Sequence, residues 1–264
     1  MPFKFSVLAS GSTGNSLYIE TEQRRLLIDC GLSGKKMIEL LGQIDRRPED
    51  IDAILVTHEH SDHIKGLGVF ARRFHTPVYA NQKTWHAMSS GIGEIPTEQK
   101  FDFEANTTRD FSDLSVESFS VSHDAADPMF FVVHQGEKQL TLATDLGYVS
   151  AHIKGLIHNS DAYVMEANHD TEMLMMGRYP WSVKRRILGD TGHISNEESG
   201  VALTEVFGDH TKQIYLAHLS KDNNMKELAR MSVGQHLERL GLKLGREIGL
   251  YDTDPDHSTK LTAV

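Results

Sequence analysis

Short apolar runs broken by glycine-rich or charged turns set the pattern of the first half of the chain. Residues 3–9, 17–20 and 25–29 predict three strands joined by tight turns, an antiparallel sheet edge. Met37, Ile38, Leu40 and Leu41 have helical spacing, so a helix is expected over 33–42, with Ser33 as N-cap and Gly42 as stop. The apolar run 52–57 predicts a buried strand, and 64–74 a helix that ends before Pro77. A short strand at 78–80 and a helix at 82–88 follow. The stretch 89–106, rich in Gly, Glu and Pro, reads as loop, with room for local strand character. Strict alternation over 114–121 predicts a strand, and 129–134 with 139–144 a hairpin across Gln135-Gly136-Glu137-Lys138. Strands at 162–165 and 213–217 and helices at 182–188, 197–207 and 225–240 complete the prediction. The tail beyond Tyr251 is expected to be mobile.

Five of these strands run into a histidine or an acid: His58, His123, Asp145, Glu166 and His218. Strand ends along one edge of a sheet would gather such groups into a single cleft. The densest case is His58-Glu59-His60-Ser61-Asp62-His63, directly after the buried run 52–57. Alternate residues of an extended segment point the same way, so His58 and His60 can share one ion. Asp62 and His63 lie one step on and can serve a second. Neutral imidazole and carboxylate are ligands that suit zinc and manganese.

Composition narrows the context without naming the chemistry. The 264 residues suit one large domain, 1–264, or two small ones, and contain no apolar run long enough to span a membrane. One cysteine, Cys30, excludes an internal disulfide, predicts a buried small apolar side chain and fits a reducing cytoplasm. A net charge of −10 argues against a sequence-independent nucleic-acid coat. A nuclease stays compatible with that charge, because bound cations bring positive charge to the site itself.

With these residues in place, the chain resembles the metallo-β-lactamase superfamily. The His-X-His-X-Asp-His signature is met by His58, His60, Asp62 and His63, and the later single His, Asp and His by His123, Asp145 and His218. Asp29 in Ile-Asp-Cys-Gly matches the Asp-X-Gly turn that supports the histidine loop. The fold this implies is an α/β, αββα four-layer sandwich. The implied cofactors are two divalent metal ions, zinc or manganese, with His58, His60 and His123 on one, Asp62, His63 and His218 on the other, and Asp145 bridging. Two ions about 3.5–4 Å apart can hold a hydroxide between them and a phosphate oxygen beside it.

Further motifs sharpen the resemblance. Glu166-Ala-Asn and Gly192-His193-Ile-Ser-Asn are similar to the Glu-Ala-Thr and Gly-His-Ser motifs of tRNA 3′-end nucleases. The loop at 10–16 and Leu216-Ala-His-Leu-Ser-Lys-Asp-Asn-Asn224 look most like the bacterial WalJ (YycJ) group, associated with 5′ to 3′ DNA exonuclease activity. The implied catalytic residues are His193 as proton donor to the leaving 3′-oxygen, Glu166 orienting it, and Asp62. His169 is an alternative donor, expected on the rim. The loop 10–16 is either a phosphate cradle or a plain turn. Arg178, Lys184, Arg185 and Arg186, close before His193, are better placed than Arg72 and Arg73 to hold a backbone. Tyr179 and Trp181 are expected in the core rather than stacked on bases. The implied partner is nucleic acid, DNA with a 5′ end; a ribonuclease, a small or cyclic nucleotide phosphodiesterase and a non-catalytic metal-binding regulator are the alternatives.

Overall fold

The structure, a computed structural model, describes residues 3–264. The chain divides into two compact units, one comprising Met1–Ser120, Ala125–Met129 and Thr253–Val264, the other Val121–Asp124 and Phe130–Asp252.

The first unit is built on a sheet whose strands run in the order β1 (Lys4–Ala9), β2 (Ser16–Glu20), β3 (Arg25–Ile28), β4 (Ala53–Leu55), β5 (Val78–Ala80) and β6 (Lys100–Asp102). Pairing is antiparallel from β1 to β3, as the tight turns predict, and parallel from β3 to β6. Every residue of β2 and β4 is buried, which is why these segments read as apolar runs without alternation. Helices α1 (Gly34–Gln43), α2 (Ser61–Ile64), α3 (Leu67–Phe74) and α4 (Gln82–Ile92) pack Met37, Leu40, Leu41, Leu67, Phe70 and Met88 into one core with Leu27, Ile54 and Val78. Ser33 caps α1 by accepting from the Lys36 amide at 3.3 Å. A hairpin of β7 (Thr108–Phe111) and β8 (Leu114–Ser120) belongs to the same unit.

The second unit carries β9 (Met129–Gln135), β10 (Lys138–Ala143), β11 (Ala162–Glu166), β12 (Gln213–Ala217) and β13 (Gly249–Asp252), adjacent in that order. The β9–β10 hairpin is antiparallel, turning through Gly136 at φ 57°, a left-handed conformation that suits glycine. From β10 to β13 the pairing is parallel, so the carboxyl ends of four strands fall on one edge. Helices α5 (Ala151–Ile157), α6 (Thr171–Met176), α7 (Trp181–Ile187), α8 (Asn196–Val206) and α9 (Lys226–Arg239) accompany these strands. Helix α8 starts with a reciprocal capping box between Ser195 and Glu198.

Four expectations need correction. The helix expected over 64–74 breaks at Gly66, where a Cβ would meet the Leu32 carbonyl oxygen at 2.0 Å. The helix expected to end at Met88 continues to Ile92, and β6 and β7 form in stretches without a clear apolar period. Helices α5 and α6 follow short polar caps, Ser150 and Asp170, in segments too brief to show periodicity. The tail is ordered: Thr262–Ala263 pairs with β1, and Thr259 donates its amide to Val7 and accepts from the Val7 amide. Among the described residues, no helix is long and apolar enough to cross a membrane.

Candidate functional site

In the first unit, the parallel pairing of β3 with β4 brings Asp29 beside the start of the histidine loop. The Asp29 amide donates to the Leu55 carbonyl, and its backbone turns left-handed at φ 62°. Its buried carboxylate then accepts three hydrogen bonds, from the Thr57 amide at 2.8 Å, the Thr57 hydroxyl at 2.8 Å and His63 Nδ1 at 2.7 Å. Thr57 Oγ1, which donates to Asp29, lies 3.0 Å from His58 Nδ1 and accepts from it. Both rings therefore carry the proton on Nδ1, which leaves Nε2 as the atom with a ligand lone pair. The ring centroids of His58 and His60 are 4.7 Å apart, and those of His58 and His63 4.1 Å.

The loop 10–16 braces this arrangement from the other side. The Asn15 amide donates to the Asp62 carbonyl at 2.8 Å, and Asn15 Nδ2 donates to Asp62 Oδ2 at 3.1 Å and lies 3.1 Å from His63 Nε2. The amides of Ser10, Gly11, Gly14 and Asn15 are all spent on protein acceptors, so this part of the loop braces the histidine segment. Gly31 permits the close approach, because a Cβ there would sit 1.7 Å from the Asp62 carbonyl oxygen.

In the second unit, the parallel register sets Ala143 beside Met165 and Glu166 beside Ala217. Asp145, Glu166 and His218 thus leave neighbouring strands at the same edge. Asp145 and His218 turn left-handed there, at φ 50° and 53°. With His193, these residues offer ligand atoms that all lie within 4.8 Å of one another. Glu166 is fully buried; its Oε1 accepts from His193 Nδ1 at 2.7 Å and His218 Nδ1 at 3.1 Å, and its Oε2 from the Leu146 amide at 3.0 Å. Burial pushes the Glu166 carboxyl up, but the two imidazoles outweigh it and hold the group below the usual carboxylate range. For His193, burial works downward and is outweighed by Glu166, so the ring is held above the usual histidine range. His123 places Nδ1 3.1 Å from the Gly192 carbonyl, and the centroids of His123 and His193 are 5.0 Å apart.

His169 is not on a rim. It is 1% exposed, and burial depresses its pKa below the usual value, which makes it a poor donor beside His193. Lys184 is buried and donates to the Met175 carbonyl at 2.6 Å, and Arg186 is engaged by Asp124. Of the expected backbone-holding group, Arg178, Arg185 and Arg186 are exposed, and Arg186 is the one of the three paired with a carboxylate. Arg72 caps α4 through the Ile92 and Glu94 carbonyls, a structural task. Trp181, expected in the core, is 54% exposed, whereas Tyr179 is tied to Asp222 by a 3.0 Å hydrogen bond. Cys30 is buried, and burial pushes its thiol up, which makes it inert.

Asn15, Thr57 and Gly31 are orienting residues that the sequence reading did not single out for this task. Nothing within one sequence signals that Asn15 reaches a carboxylate 47 positions away. The donor sets of both units fit divalent cations: imidazoles with Nδ1 occupied by an acceptor, together with carboxylates, are a borderline-hard ligand set.

The chain matches the family model described as a beta-lactamase superfamily domain over residues 24–219. It is 58% identical to an exodeoxyribonuclease, YycJ, of Bacillus anthracis over the full length of both chains. It is 51% identical to the exodeoxyribonuclease WalJ of Streptococcus pneumoniae, over 99% of this chain and 98% of that one. Among solved structures, the metallo-beta-lactamase fold protein YhfI of Bacillus subtilis superposes with a TM-score of 0.71 at 15% identity, covering 98% of this chain and 99% of that one. Human tRNase Z, short form, superposes with a TM-score of 0.65 at 15% identity, covering 98% and 99%. Two β-sheets flanked by helices are the architecture shared with these neighbours.

Proposed function

The chain belongs to the metallo-β-lactamase superfamily, and on that premise we propose that it is a metal-dependent exodeoxyribonuclease that hydrolyses DNA from a 5′ end. The relatives that support this reading align over 99–100% of the chain, which favours reading residues 1–264 as one hydrolase domain. His58, His60, Asp62, His63, His123, Asp145 and His218 would hold two divalent ions, zinc or manganese. When bound, such ions acidify water and offset the charge of a phosphodiester.

The remaining work falls to the chain itself. Asp29 and Thr57 fix the tautomers and ring planes of His58 and His63. Glu166 orients His218 and His193 together through one buried oxygen. His193, 18% exposed at its side chain, keeps a second N–H with which to protonate the leaving 3′-oxygen. The 2.7 Å contact between His193 and the buried Glu166 is the observation that carries this assignment, because the carboxylate aligns the ring and favours its protonated form. The lone buried thiol, Cys30, supports a cytoplasmic setting.

The test is to incubate metal-loaded protein with 5′-phosphorylated single- and double-stranded DNA, matched RNA and bis(p-nitrophenyl) phosphate. Mononucleotides released progressively from the 5′ end of DNA are expected. Hydrolysis of the small diester alone would refute the nuclease reading.

A further inference from the structure

Helix α7 presents an unusual outer face. Trp181, Arg185 and Leu188 recur at i, i+4 and i+7, and all three are exposed, Trp181 by 54% and Leu188 by 44%. Exposed Arg178 lies just ahead of them, and Met175 and Met176 at the end of α6 are exposed by 45% and 88%. A soluble protein seldom leaves this much large apolar side chain in water at one place without a use for it. The neighbouring polar side chains are committed to protein partners. Lys184 spends its ammonium on the Met175 carbonyl, Tyr179 is anchored on Asp222, and Arg186 is engaged by Asp124.

The charge on this face is as selective as its shape. Helix α7 contains no carboxylate, and no ion pair engages Arg178 or Arg185 among the described residues, in a chain whose net charge is −10. An indole beside two uncommitted guanidinium groups matches a single nucleic-acid strand: bases stack on the ring while the arginines meet phosphates. A protein partner would be expected to prefer a continuous apolar patch, whereas cations interrupt this one. The face is also tied to the chemistry. The His193 amide donates to the Ile187 carbonyl at 2.9 Å, and the Gly192 amide to the Gly189 carbonyl at 2.8 Å, so the end of α7 is hydrogen-bonded directly to the proposed proton donor. A Cβ on Gly192 would lie 2.1 Å from the Ile187 oxygen, so this closure tolerates no side chain there.

We propose that the Trp181, Arg185 and Leu188 face, with Arg178, is the surface on which a single strand of the substrate is gripped and fed toward His193. This rests on the nuclease reading. It assigns strand affinity to four exposed residues that have no part in the catalytic contacts.

Metal-loaded wild type, Trp181→Ala, Trp181→Phe and the double variant Arg178→Ala/Arg185→Ala are compared on a 5′-phosphorylated single-stranded oligodeoxynucleotide and on bis(p-nitrophenyl) phosphate. Trp181→Ala is expected to lose roughly tenfold in kcat/KM on the oligonucleotide, through KM, with the small diester unchanged. Trp181→Phe recovers most of that loss. The double variant flattens the dependence of log KM on log salt by about 1.4, the value for two phosphates on a single strand. Unchanged kcat/KM on the oligonucleotide, or an equal loss on both substrates, overturns the proposal. A shift from dimer to monomer in the variants with intact DNA digestion overturns it too, and marks the face as a contact between copies. If wild type cleaves the small diester but no nucleic acid, the nuclease reading itself fails and this proposal falls with it.

Discussion

Glu166→Gln separates proton donation from everything else at the site. The native carboxylate has no exposure and receives three donors: His193 and His218 on Oε1, the Leu146 amide on Oε2. A glutamine can turn its oxygen toward the rings only by setting its NH2 against the Leu146 N–H, and the reverse orientation faces both imidazoles with a donor. Either way one charge-assisted contact, worth roughly 1.5–3 kcal/mol, is lost. The ring that is meant to donate is then neither charged by its neighbour nor aligned. General acids contribute about 10²–10⁴-fold, so kcat on DNA is expected to fall about 100-fold, equivalent to about 2.7 kcal/mol in the barrier. The p-nitrophenolate leaving group needs no proton, and hydrolysis of bis(p-nitrophenyl) phosphate should fall less than about threefold by the same reasoning. Because Glu166 also orients His218, metal affinity is expected to weaken by about 10–100-fold. The assay therefore runs at saturating metal, with metal content measured on the same samples. Equal losses on both substrates at full metal occupancy would refute the assignment of His193 as acid, as would an unimpaired rate on DNA.

Three further outcomes are expected. Gly31→Ala drives a methyl group into the Asp62 carbonyl, so it should destabilise the protein by about 3 kcal/mol and lower bound metal per chain, measured by urea unfolding and elemental analysis. Stripping the metals with a chelator should abolish hydrolysis and lower the unfolding free energy by about 4 kcal/mol relative to metal at a thousandfold excess over Kd; an unchanged Tm would argue that no ion is held. Glu20, buried beneath Arg46 and Tyr18, is pushed up by burial but pulled further down by hydrogen bonds from Arg46 at 2.6 and 2.7 Å and from Tyr18 at 2.8 Å. A carboxyl held low stabilises the fold above its unfolded pKa of about 4.3, and that stability is lost as pH falls through the folded value. Glu20→Gln should therefore cost about 2 kcal/mol at pH 7 and progressively less below pH ~4, read from urea midpoints across pH.

The gathering of imidazoles and carboxylates was legible from residues alone. A buried apolar run ending in three histidines and an aspartate within six positions is a local pattern, and local patterns survive in one dimension. The same holds for β1 to β3, whose short apolar runs and tight turns announced antiparallel pairing, and for α1 with its Ser33 cap. The helix expected over 64–74 failed at Gly66 because the break is imposed by the distant Leu32 carbonyl, not by local propensity. Trp181 was expected inside because large aromatics usually are; only packing showed that Lys184 takes the buried position of α7 and leaves the indole in water.

What the chain decided by itself was the kind of atoms a site could offer and the strands that would deliver them. Tertiary structure decided how those atoms are held. Asp29, Asp145 and His218 each turn left-handed just past a strand, a conformation that residue identity does not encode and that the surrounding contacts must impose. The parallel register of β10, β11 and β12 placed a single buried oxygen of Glu166 within reach of two imidazoles from distant parts of the chain. Asn15 and Gly31 owe their roles to a backbone approach across more than 30 residues of sequence, which no periodicity records. Donor type is a property of residues, but tautomer, alignment and proton affinity depend on neighbours, and neighbours exist only once the chain has folded.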